Sequence, residues 1–319
     1  MQSHTIFIGA TRYAEYCAAG YQLLLSAGCR LIENKKSGPY SEKELIEIGG
    51  QLSGVICGCE VWDETTISAA PNLKVIVKFG VGYDNIDLEA AKRHHVQVAN
   101  CPGLNAISVA EHTFALLFSC LREIPMLDRS TREGKWERKV YPDLFHANMG
   151  ILGFGAVGQA IAARAQAFGV HLFAYDKFPD EKAAERLGVR LCPLDEVLRV
   201  SDILSVNLPA LPETFHLINE EHIAEMKDGV VIVNTARGIL ADEQAVAAAL
   251  CNGKIGAYGS DVYEHEPMRG QSPLASCWNT VLTPHLAGES RNSYARIGQA
   301  TAEGVLAVLS GTPLAHRLA

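Results

Sequence analysis

The chain has 319 residues, 48% of them hydrophobic and 20% charged, with a formal net charge of −8. That length suits two soluble domains, and the acidic balance argues against nucleic acid or an anionic membrane as a partner. The nine cysteines form an odd set without a CxxC pair, which points to small buried hydrophobes in a reducing compartment, with no disulfide framework and no metal site. The opening MQSHTIFIGA has neither a basic region nor an apolar stretch, and no apolar run reaches membrane-spanning length. A cytoplasmic protein without signal peptide or membrane partner is expected.

The first hundred residues alternate between short strand and helix patterns. Residues 5–8 read as a strand, 13–27 as one helix stopped by Gly28, 31–32 as a strand, 41–49 as a capped helix and 54–56 as a strand. A short helix over 65–70 stops at Pro71, and the strand 73–78 runs into Phe79-Gly80-Val81-Gly82-Tyr83-Asp84. Such alternation means a doubly wound parallel sheet. The loop with Gly80, Val81 and Gly82 is either a plain turn or a backbone-amide nest for a carboxylate, placed at a strand end where ligands tend to sit. A strand over 96–99 and a linker over 100–103 lead to a long apolar helix over 108–122. Its polar face is too narrow for full exposure, so it either bridges domains or covers a dimer surface. The basic loop 131–139 (TREGKWERK) reads by default as a solvated charge run.

The stretch 149–176 (MGILGFGAVGQAIAARAQAFGVHLFAYD) organises the rest. An apolar run enters Gly153-Phe154-Gly155-Ala156-Val157-Gly158, an Ala-rich helix follows, and the strand 170–175 ends on Asp176. This is the order of a dinucleotide-binding βαβ unit. Gly153 permits the tight turn, Gly155 lets backbone approach a pyrophosphate, and Gly158 lets helix and strand pack closely. The helix N-terminus then faces the phosphates. Asp176, eighteen residues past Gly158, can accept hydrogen bonds from an adenosine ribose and would repel a 2′-phosphate.

Alternation continues to the C-terminus, with helices over 180–187, 194–200, 222–226, 242–250 and 290–309 and strands over 203–208, 230–234, 256–259 and 280–282. Arg237, Asp261, Glu266 and His285 each follow a strand of the same sheet, so they share the crevice of the glycine loop. A nicotinamide site must move a proton and hold a substrate besides binding its cofactor. His285 suits the proton, Glu266 could orient its ring, and Arg237 has the fork geometry that clamps a carboxylate. The remaining histidines, His112 among them, lack such company and read as surface or packing residues.

The motifs GFGAVG, NTARG, DVYEHEP, TPHLAG and VKFGVGYDNID resemble those of the D-isomer-specific 2-hydroxyacid dehydrogenase family over essentially the whole chain. The resemblance implies an α/β fold of two doubly wound parallel-sheet domains. A Rossmann nucleotide domain (101–285) is inserted into a flavodoxin-like substrate domain (1–100 and 286–319), with the active site in the cleft between them and a homodimer formed through the 103–122 helix. It implies NAD as cofactor, a small 2-keto/2-hydroxy acid as substrate, and Arg237, Glu266 and His285 as the catalytic set, Arg237 binding substrate. Besides Gly153, Gly155 and Gly158, the residues implied to bind NAD are Ala156, Val157, Asp176, Leu208, Pro209, Thr214, Thr235, Ala236, Asp261, Ala287 and Gly288. Lys78, Gly80, Val81 and Gly82 are implied to hold the substrate.

The stretch Cys57-Gly58-Cys59-Glu60 has no arginine where many phosphoglycerate-specific members carry one. That weakens 3-phosphoglycerate as substrate and keeps a glyoxylate/hydroxypyruvate reductase open. If the substrate is phosphorylated, Lys78, Arg138 and Lys139 are the cations available. The end at Ala319 leads to the expectation that no C-terminal regulatory domain is present. A reading of another class is an NAD-sensing scaffold like the family's corepressor relatives.

Overall fold

The computed structural model describes residues 4–36, 38–268, 270 and 272–319. In chain order it runs β1 (Thr5–Ile8), α1 (Tyr13–Tyr16), α2 (Ala18–Ser26), β2 (Arg30–Glu33), α3 (Glu42–Gly49), β3 (Gly54–Cys57), α4 (Glu64–Ser68), β4 (Val75–Lys78), α5 (Leu88–Arg93) and β5 (Gln97–Ala99). The helices α6 (Ala106–Leu121) and α7 (Ile124–Arg132) follow, then β6 (Asn148–Leu152), α8 (Ala156–Ala165), β7 (His171–Tyr175), α9 (Glu181–Arg186), β8 (Val189–Leu191) and α10 (Leu194–Val200). The chain continues through β9 (Ile203–Val206), α11 (Glu220–Glu225), β10 (Val230–Asn234), α12 (Glu243–Asn252), β11 (Ile255–Ser260), β12 (Thr280–Leu282) and α13 (Arg291–Leu309).

Two units result, Met1–Asn105 with Glu289–Ala319, and Ala106–Gly288. The boundaries lie a few residues beyond those expected. The Cys101 amide donates to Gly80 O at 2.9 Å and Arg296 donates to Leu104 O, which ties 101–104 to the first unit. Leu286 and Ala287 bond Asp261 and stay with the second.

In the first unit the parallel strands lie in the order β2-β1-β3-β4-β5, the flavodoxin-like arrangement. Strands such as Ile6–Ile8 and Val75–Val77 are buried on both faces, as a sheet covered by helices on each side requires. The expected helix over 13–27 is two helices, broken at Cys17 (φ −117, ψ 41). The break lets both halves meet α13: a β-carbon on Gly20 would lie 2.2 Å from Gly298 O, and Tyr13 Oη donates to that carbonyl at 2.5 Å. Hydrophobic spacing does not register a one-residue break.

In the second unit the order is β12-β11-β10-β9-β6-β7-β8, all parallel. Counted from β6, this is the Rossmann order 3-2-1-4-5-6 with one further strand, and its switch point lies between β6 and β9. The strand β8 and the helix α7 went unread in the sequence. Three residues (VRL) give too short a pattern for β8, and α7 (IPMLDRSTR) opens on Ile124-Pro125 and carries apolar residues only over its first four positions. The apolar helix α6 packs one face into the unit's own core: Ala110, Phe114, Leu116 and Leu117 are buried beside Ile151, Ile161 and Val233, while Ile107 is 49% exposed. No described helix is long and apolar enough to cross a membrane.

Candidate active site

The turn after β6 has the geometry its three glycines foretell. Gly153 sits at φ 94, and a β-carbon there would lie 2.7 Å from Asn207 backbone. Gly158 would place one 2.2 Å from Gly153 O, whereas at Gly155 nothing lies within 4 Å. Two glycines therefore serve close packing, and the third leaves open space at the N-cap of α8 (φ −76, ψ −158), where a pyrophosphate can meet helix amides. Ala156 and Val157 form the first turn. Across the switch point, Leu208 is buried, and Thr214 Oγ1 donates to Pro209 O at 2.7 Å, closing the 209–214 loop. At the end of β7, Asp176 Oδ2 accepts from the Phe154 amide at 2.6 Å and Oδ1 from the Phe178 amide at 2.8 Å. The carboxylate is thereby fixed against the glycine loop.

On the other half of the sheet, β10, β11 and β12 deliver the acid–base residues side by side. Buried Asn234 shapes the first loop: its Oδ1 accepts from Ala236 N at 3.0 Å and its Nδ2 donates to Arg237 O at 2.9 Å. Thr235 Oγ1 meets Thr113 Oγ1 at 3.0 Å. From the loop after β11, Glu266 Oε1 accepts from the Tyr263 amide at 3.0 Å, and Oε2 lies 2.5 Å from His285 Nδ1. Burial works to raise the Glu266 pKa, but the His285 hydrogen bond and charge, the Tyr263 amide and the Arg237 charge together hold it below the usual carboxylate value. With Nδ1 bound to a carboxylate, the proton on that nitrogen is assigned, and Nε2 is the edge left for a reactant.

His285 has φ 53, a left-handed conformation that costs a non-glycine residue energy and persists when its surroundings over-determine it. Asp261 supplies the constraint. It is 0% exposed, its Oδ1 accepts from Thr283 Oγ1 at 2.6 Å and Leu286 N at 3.0 Å, and its Oδ2 accepts from Ala287 N at 2.7 Å. Asp261, expected as a cofactor contact, stands behind the 283–288 turn and holds its backbone; Ala287 and Gly288 belong to that turn. His112 has more company than its sequence neighbours suggest. Read as a packing residue, it places Nε2 2.9 Å from Thr283 Oγ1 and 3.6 Å from Asp261 Oδ1. Nothing in its local sequence marks it, since a helix residue meets the end of β12 only through the fold. Tyr263, whose Oη donates to Thr283 O at 2.8 Å, was likewise missed.

Within the first unit, Lys78 Nζ donates to Gly58 O and to Asn85 Oδ1. Gly80 has φ 144 with nothing within 4 Å of its β-carbon position, and Val81 O accepts from Asn100 Nδ2 at 2.7 Å. The loop with Gly82 is therefore held from behind by Asn100, with one side open at Gly80. No cluster of metal-ligating side chains occurs among the described residues.

Fold and site define a dinucleotide-binding α/β protein with a histidine–carboxylate pair on its sheet edge. The chain belongs to the D-isomer-specific 2-hydroxyacid dehydrogenase family: residues 114–287 match that family's NAD binding domain. A D-3-phosphoglycerate dehydrogenase of Archaeoglobus fulgidus is 40% identical over 281 residues, covering 88% of this chain and 53% of that protein. A glyoxylate reductase of Korarchaeum cryptofilum is 36% identical over 284 residues, covering 87% of this chain and 86% of that protein. The chain spans about half the length of the phosphoglycerate dehydrogenases it matches. Among solved structures, the apo form of D-lactate dehydrogenase from Escherichia coli is similar with a TM-score of 0.87 at 29% identity, covering 99% of this chain and 100% of that one.

Proposed function

We propose that this chain is a cytoplasmic, homodimeric NAD-dependent dehydrogenase of small D-2-hydroxy acids, working between a 2-keto acid and its alcohol. The 2.5 Å contact between His285 Nδ1 and Glu266 Oε2 carries the reading, because it supports proton transfer beside a dinucleotide loop. Gly153, Gly155, Gly158 and Asp176 fit the cofactor, with open space at Gly155 and a fixed carboxylate at the ribose position. NAD supplies or accepts the hydride when bound.

The chain's own residues do the rest. In reduction, protonated His285 gives its Nε2 proton to the carbonyl oxygen, while Glu266 keeps the ring oriented and stabilises its positive form. In oxidation the neutral ring takes the hydroxyl proton. Arg237 binds the substrate carboxylate through its planar fork; in the first unit the Gly80 amide is turned to Lys78 O, and the amides of Val81 and Gly82 are the donors that loop has for a carboxylate. Steady-state turnover of glyoxylate, hydroxypyruvate and 3-phosphohydroxypyruvate with NADH tests the proposal. Turnover of none of them, with NADH binding intact, would favour an NAD-sensing scaffold instead.

A further inference from the structure

A cavity of about 370 Å³ in the first unit is lined by Thr11, Arg12, Tyr16, Ser290, Arg291 and Tyr294, with Glu289 beside them. Its walls connect to the proposed carboxylate loop. The Tyr294 ring packs edge-on against Phe79 at 5.0 Å and against Tyr16 at 5.7 Å, and Phe79 directly precedes Gly80. We infer that this cavity receives a second anionic group on the substrate, a phosphate, sulfonate or carboxylate carried on the carbon next to the keto group. The inference rests on the dehydrogenase reading and names its substrate class.

Arg12 is pre-set for such a task. Its Cζ lies 4.6 Å from the Tyr16 ring centre, and its Nε and Nη2 donate to Glu15 at 2.8 and 2.7 Å. The guanidinium is thus held in one plane, with its Nη1 edge left to meet a ligand. The residue adopts φ 57, unusual for a side chain of this size. Arg291 brings a second guanidinium to the start of α13, a helix of 19 residues with no acid in its first turn. A cation at the positive end of a helix dipole is unfavourable unless an anion joins it. Glu15 pairs with Arg12 and also feels the charge of Arg291, and Glu289 is the carboxylate among the lining residues.

Lys78 is the cation nearest the carboxylate loop in sequence, and it is turned to Gly58 O and Asn85 Oδ1. The stretch 57–60 offers Glu60 in place of an arginine. An anionic side group therefore finds its guanidinium partners on the β1 loop and the start of α13. Residues 12 and 291 are far apart in sequence and meet only through tertiary folding.

Hydroxypyruvate and 3-phosphohydroxypyruvate share a carbon skeleton, and oxaloacetate places a carboxylate at similar reach. The wild type should show a higher kcat/KM for a substrate that carries the second anionic group than for hydroxypyruvate, and the preferred anion identifies the source. Loss of one charge-assisted contact should lower that ratio by about 10- to 100-fold in Arg12→Asn, chosen because asparagine tolerates a positive φ, and in Arg291→Gln. Arg291→Lys should keep part of the preference. Should the first variant fail to fold, the exposed Arg291 position still decides.

Inorganic phosphate binding by calorimetry tests the cavity apart from catalysis. Phosphate binding weakened by both substitutions, in a protein that reduces no keto acid, would uphold the cavity and refute the dehydrogenase. Reduction of hydroxypyruvate without anion preference, with phosphate binding absent or indifferent to both substitutions, would overturn the cavity and leave the dehydrogenase standing.

Discussion

A β-carbon on Gly238 would lie 1.9 Å from the carbonyl carbon of Tyr263. The loop that carries Arg237 thus rests on the backbone of the loop that carries Glu266, and only hydrogen fits between them. Gly238→Ala must push the two apart. Overpacking of this kind costs about 1–3 kcal/mol, and displacement of a substrate clamp by about 1 Å costs on the order of 10²-fold in rate. Thermal unfolding and kcat/KM should fall together in this variant, and a fully active Gly238→Ala enzyme would refute the coupling.

His285→Ala should reduce kcat for keto-acid reduction by about 10²–10⁴-fold while NADH binding persists. The companion variant Glu266→Gln tests the partner through pH. The Glu266 pKa is held below its ordinary value, so its contribution to stability is present above the unfolded carboxylate pKa and is lost as pH falls through the folded one. The difference in Tm between wild type and Glu266→Gln should be largest near neutrality and vanish under acid conditions. A difference independent of pH would mean that the carboxylate charge is not what matters.

Asp176 predicts preference for NAD over NADP. At an effective dielectric of about 20, two anions about 4 Å apart repel by about 4 kcal/mol, enough for discrimination of about 10²-fold or more. Lys177 could have softened this, but its Nζ pairs with Glu213 at 3.1 Å. Asp176→Ser should narrow the NAD/NADP ratio of kcat/KM, and an equal ratio already in the wild type would remove the argument.

Glu60 is 1% exposed and its Oε2 has no hydrogen-bond partner among the described residues. Burial raises its pKa, only partly countered by the Gly58 amide, the Trp62 indole and the Lys78 charge. For a raised carboxyl, the stability advantage is present below the unfolded pKa and is lost as pH rises through the folded value. Glu60→Gln should therefore gain on the wild type in Tm as pH rises from the ordinary carboxylate range toward neutrality. A gain that appears only in acid would reverse the sign and refute the assignment.

The stretch 136–140 and Trp278 offer the homodimer a candidate surface besides α6. Trp136 is 84% exposed, Val140 101% and Trp278 68%, and Lys139 Nζ lies 6.0 Å from the Trp278 ring. Burying such side chains drives association. Sedimentation should show a dimer at micromolar concentration that Val140→Asp dissociates, whereas charge at buried Leu117 should unfold the protein. A monomeric wild type would refute the dimer.

The order of elements, the glycine loop and the acid–base residues at strand ends were legible in the sequence, because each depends on local chemistry. Glycine spacing, apolar runs of strand length and an acid closing β7 are set within a few residues of one another, and a parallel sheet places all its strand C-termini on one edge. Tertiary structure decided what depends on distant pairs. It turned Asp261 inward to hold the His285 loop, brought His112 from α6 onto Thr283, directed Lys78 to Gly58 and Asn85, and set Arg12 and Arg291 around one cavity. It also packed one face of the apolar helix α6 into the core of its own unit. A hydrophobic pattern states that a face must be covered, and only the packed chain decides what covers it.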